Sequence, residues 1–193
     1  MKNLSAQKGF TLVEMIGVMA VIAILAAIAA PRVFDAIEDA KVTSLVQQIN
    51  TFKTAATQVY KDTGRFPHYR SDQTNAYYNT FMNKNSLNTA NADMPGWNGP
   101  YLDTIPAHPI TPGARQEIVN TNNGAYRCDA DGDGTTEGPW LTYRVDGLSR
   151  KIMEKVSNII DSDGGAANWA TAGKVKEYNG NHATVMVVCL VRT

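Results

Sequence analysis

The chain has 193 residues, with 18 basic and 18 acidic side chains and a formal net charge of zero. That length holds one domain and a stalk, and the neutral balance excludes a dominant electrostatic partner, so no nucleic acid is expected as a ligand. His68, His108 and His182 are scattered, with no HExxH, nucleophile elbow or phosphate-cradling loop beside them, so the chain does not read as an enzyme.

The first predicted element is the most informative. Residues 10–30 are almost purely apolar, with Thr11 the only polar side chain and Glu14 the only charge. As a helix this run reaches about 30 Å, the thickness of a bilayer's hydrocarbon core. Lys2 and Lys8 precede it without an acid, which keeps the short N-terminus cytoplasmic and sends the bulk of the chain outward. A cleaved secretory signal is the alternative, with Ala27, Ala29 and Ala30 as small residues before the cut. Against it, the helical pattern continues past Pro31 without a loop. A carboxylate at the edge of such a run needs a partner, unless Glu14 merely snorkels to water.

The run Lys8-Gly9-Phe10-Thr11-Leu12-Val13-Glu14 resembles the class III signal of type IV pilins and of the pseudopilins of type II secretion. The resemblance implies cleavage by a prepilin peptidase between Gly9 and Phe10 and N-methylation of Phe10. It implies that Glu14 helps place the subunit in a filament, where a buried carboxylate can pair with a neighbour's α-amino group. It further implies an inner-membrane, single-pass precursor with its head in the periplasm or outside. Its partners would be copies of itself, other pilin-like subunits and an inner-membrane assembly platform.

Beyond Pro31, apolar residues Leu45, Ile49, Phe52, Ala56, Val59 and Tyr60 step by three and four, which predicts a helix with one buried face ending at Gly64. Pro31 should kink or loosen that helix; in the resembling families a proline here accompanies local melting on assembly, the alternative being a proline simply tolerated. Residues 65–113 turn rich in Asn, Tyr, Pro and Gly, with a surface excursion over 71–93 and a short helix near 77–84. Residues 61–67 and Gly96-Trp97-Asn98-Gly99-Pro100-Tyr101-Leu102 resemble major pseudopilins, the aromatics being core cover. The resemblance to that subfamily then fails, because His108-Pro109-Ile110-Thr111-Pro112 stands where a Pro-Trp-Gly-x-Pro-Tyr run is expected.

Strands follow. Residues 116–120 and 125–128 should flank an Asn123-Gly124 turn, and 141–145 alternates as a half-buried strand does. Residues 148–160 return to helical spacing, and 174–178 with 184–191 form a terminal hairpin around residues 179–181. The expected fold is α+β and type IV pilin-like: an antiparallel sheet laid on a long helix, with one extra short helix. Its parts are a leader (1–9), a membrane or filament-core helix (10–31), an amphipathic half (32–63) and a head (64–193).

Two motifs remain. Cys128 and Cys189 form no CxxC pattern; in an oxidising compartment they suit one disulfide, and two buried thiols are the alternative. Asp129, Asp131 and Asp133 alternate ahead of Gly134 and Glu137 like the first half of a calcium loop, whose second half fails at Trp140. Calcium is the expected structural cofactor, with Asp129, Asp131, Asp133 and Glu137 as ligands and Asp161 or Asp163 available to complete the shell; a solvated acidic turn is the other reading. The sequence thus points to a filament subunit, first a type II secretion pseudopilin in protein export. The runner-up is a type IV pilus subunit for adhesion, motility or DNA uptake, and a third reading is a filament-tip binding module using residues 77–91.

Overall fold

A computed structural model describes residues 9–66, 95–104, 106–121, 127–129, 135–138, 140–161, 173–180 and 183–192. The expected excursion with its short helix, the tip surface at 77–91, and Asp131, Asp133 and Asp163 lie outside these residues.

The chain divides into two compact units, residues 1–40 and 41–193. Helix α1 (Leu12–Thr63) is unbroken and includes Pro31. It starts two residues later than the apolar run because Thr11 is its cap. In the first unit the apolar side chains are exposed, Leu12 at 74%, Leu25 at 60% and Ile28 at 64%. In the second unit, Val42, Leu45, Ile49, Phe52, Ala56 and Val59 are buried along one stripe. The opposite face carries Thr51, Thr54 and Thr57, whose hydroxyls donate to carbonyls one turn back. Gly64 ends the helix with φ +70°, its N–H donating to the Tyr60 carbonyl at 2.7 Å. A left-handed residue at that place is what glycine supplies cheaply.

The head's sheet has β1 (Gln116–Thr121), β2 (Trp140–Asp146), β3 (Val175–Gly180) and β4 (Ala183–Arg192), in the order β1-β2-β4-β3 with every pair antiparallel. One face aligns Ile118, Tyr143, Met186, Val188 and Val175, which join the α1 stripe in one core. Phe52 stacks on Tyr143 there, ring centres 5.4 Å apart. The other face places Glu117, Arg144, Val187 and Lys176 in one row across all four strands. Helix α2 (Arg150–Ile160) packs on β3 and buries Met153, Val156 and Ser157.

β1 pairs over six residues with β2, whose Leu141, Tyr143 and Val145 all lie on the core side. Cys128 bridges Glu137, and residues 122–126, with the expected Asn123-Gly124 turn, lie outside the described residues. One connection differs from the expected one. The terminal ladder continues to Asn179↔Thr184 and Gly180↔Ala183, so two residues, not three, connect the strands. β4 is buried from Val185 through Leu190.

Candidate assembly site

The start of α1 is a closed hydrogen-bonded box. Glu14 N–H donates to Thr11 Oγ1 at 3.3 Å, and Glu14 Oε2 accepts from Thr11 N–H and from its hydroxyl, both at 2.8 Å. Thr11 is the N-cap and Glu14 the third helical residue, the reciprocal arrangement of a capping box. The signal was present in the sequence as Thr-x-x-Glu ahead of an apolar run, and the reading of Glu14 as an assembly residue alone passed over it. Gly9 and Phe10 precede the cap outside the helix, and Phe10 is 85% exposed.

Behind the box the apolar side chains stay exposed among the described residues. Leaving them in water forgoes on the order of 20 kcal/mol of transfer free energy, so this unit belongs in lipid or among other helices. By length and composition the helix is able to cross a membrane.

In the head, Cys128 and Cys189 are joined in a disulfide with Cα atoms 6.3 Å apart, closing a sequence separation of 61 residues. Trp140 packs on the bond. β4 is thereby tied to the stretch between β1 and β2.

Of the acidic motif, Asp129 and Glu137 are described. Their backbones are committed: Glu137 N–H donates to the Cys128 carbonyl at 2.8 Å, and the Asp129 carbonyl accepts from Gly173 N–H at 2.9 Å. Asp129 is buried, at 2% exposure. Asp131 and Asp133 lie outside the described residues, and among those described no three acids, histidines or cysteines converge on a metal position. Asp161 is committed elsewhere, its carboxylate accepting from Lys174 N–H at 2.8 Å, Val175 N–H at 3.3 Å and Ser157 Oγ at 3.1 Å. It pins the end of α2 to the start of β3.

The exit of α1 is locked by aromatic and polar contacts. Tyr101 donates its hydroxyl proton to Asp62 Oδ2 at 2.8 Å and accepts from Asn98 N–H, while Trp97 meets the Tyr101 ring edge-on. Burial raises the Tyr101 phenol above its ordinary pKa, which keeps it a donor to that carboxylate. Further along, Gln116 Oε1 accepts from both Gln48 Nε2 and the Tyr143 hydroxyl, and Gln48 also reaches the Pro106 carbonyl. His108, one of the three scattered histidines, is buried, and its Nδ1 accepts from the N–H groups of Ile110 and Thr111. The pattern assigns its proton to Nε2.

Residues 4–30 match the family described as a prokaryotic N-terminal methylation motif. Residues 36–135, just over half of the chain, match the family described as PilW, C-terminal. The chain belongs to this family of type IV pilin-like proteins. Among curated relatives, the "Fimbrial protein EcpC" of Eikenella corrodens is 28% identical over 133 residues, covering 66% of this chain and 85% of that protein. The "Type IV major alpha-pilin" of Moraxella bovis is 29% identical over 160 residues, covering 79% and 94%. A "Fimbrial protein" of Pseudomonas aeruginosa reaches 49% identity over 53 residues, 28% of this chain and 34% of that protein. No solved structure matches. This pilin-like chain is therefore a filament subunit, made as a membrane-anchored precursor.

Proposed function

We propose that the chain is a subunit of a type IV pilus serving adhesion, motility or DNA uptake. The observation that carries this reading is similarity along 94% of a relative named as a type IV major alpha-pilin. The disulfide at Cys189, close to the C-terminus, supports it. In this reading a prepilin peptidase in the inner membrane cuts between Gly9 and Phe10, and the new amino group of Phe10 is methylated. An inner-membrane platform then draws the subunit from the bilayer, with the head in the periplasm and later outside. An uncompensated buried charge costs several kcal/mol, so a neighbour's α-amino group at Glu14 both neutralises the carboxylate and selects the register. Thr11 takes Oε2 and leaves Oε1 for that amine.

A second reading, a type II secretion pseudopilin in protein export, is favoured by the segment from Gly96 to Leu102 closing the α1 exit. Deleting the gene separates the two. The pilus reading expects surface fibres to vanish while export of folded cargo continues; the reverse result supports secretion. Calcium at Asp129, Asp131, Asp133 and Glu137 belongs to the proposal as a structural cofactor. Free calcium at 100 times its dissociation constant should then stabilise the head by about 2.7 kcal/mol, and Asp131→Ala should abolish the shift.

A further inference from the structure

We draw no further inference here: the strongest candidate, the uncharged hollow of about 350 Å³ that Asn50, Thr51, Thr54 and Gln58 of α1 form with Tyr101 and Leu102, is an unpartnered helix face, and nothing in the structure shows what covers it.

Discussion

Tyr143 shows what single polar atoms contribute inside this head. It is fully buried, and burial raises its phenol above the ordinary value, so it remains a donor to Gln116 at every physiological pH. Tyr143→Phe removes that donor and leaves Gln116 Oε1 with Gln48 alone, which should cost about 1 kcal/mol in denaturant unfolding of the detergent-solubilised chain. His108 adds a pH dependence. Burial lowers its pKa below the ordinary 6.5, and protonation of Nδ1 would turn an acceptor of two N–H groups into a donor facing them. The unfolded chain then takes up the proton before the folded one does, so this stabilisation is complete above about pH 6.5 and is lost as pH falls through the lowered folded value. Between pH 7.5 and 5.5 the thermal midpoint should fall further for the natural chain than for His108→Asn, whose side-chain oxygen accepts without titrating. None of this was legible in the sequence. Spacing reveals which residues are apolar, and it does not reveal which imidazole is folded under a loop.

At the scale of elements, periodicity was the reliable signal. The α1 stripe from Leu45 to Val59 and the alternation of Leu141, Tyr143 and Val145 are burial patterns written as spacing. Partner choice was less legible, because local spacing names no partner for β1, which pairs with the strand that begins at Trp140. Close approaches were invisible as well. Gly96 has φ +86°, and a Cβ there would stand 2.2 Å from the Asp62 carbonyl oxygen, whereas Gly64, at φ +70°, faces open space. Gly64→Ala should therefore cost about 1 kcal/mol, the strain of a left-handed alanine, and Gly96→Ala considerably more, by thermal unfolding side by side. The Asp161 carboxylate gathers three donors where α2 hands over to β3. Asp161→Ala should lose about 2 kcal/mol, with faster amide exchange at Lys174 and Val175 before any other part of the sheet.

The whole molecule is a membrane-compatible helix leading to a small head, and each part needs something beyond its own packing. The exposed apolar run of α1 suits lipid or a bundle of other helices. The head is stapled: closing the loop between Cys128 and Cys189 contributes about 4 kcal/mol by the chain-entropy argument. The double variant Cys128→Ala with Cys189→Ala should thus unfold at markedly lower denaturant and yield less assembled protein. The sequence showed that two cysteines existed, and the sheet register, which brings Cys189 opposite Thr142, belongs to the fold.

The most direct test of the account is the intact mass of this chain recovered from filaments sheared off cells that make it. The expected filament-borne chain begins at Phe10, carries one methyl group on its amino terminus and keeps its disulfide. A chain in the filament fraction that still begins at Met1, or a methylated chain that never leaves the membrane fraction, would contradict it.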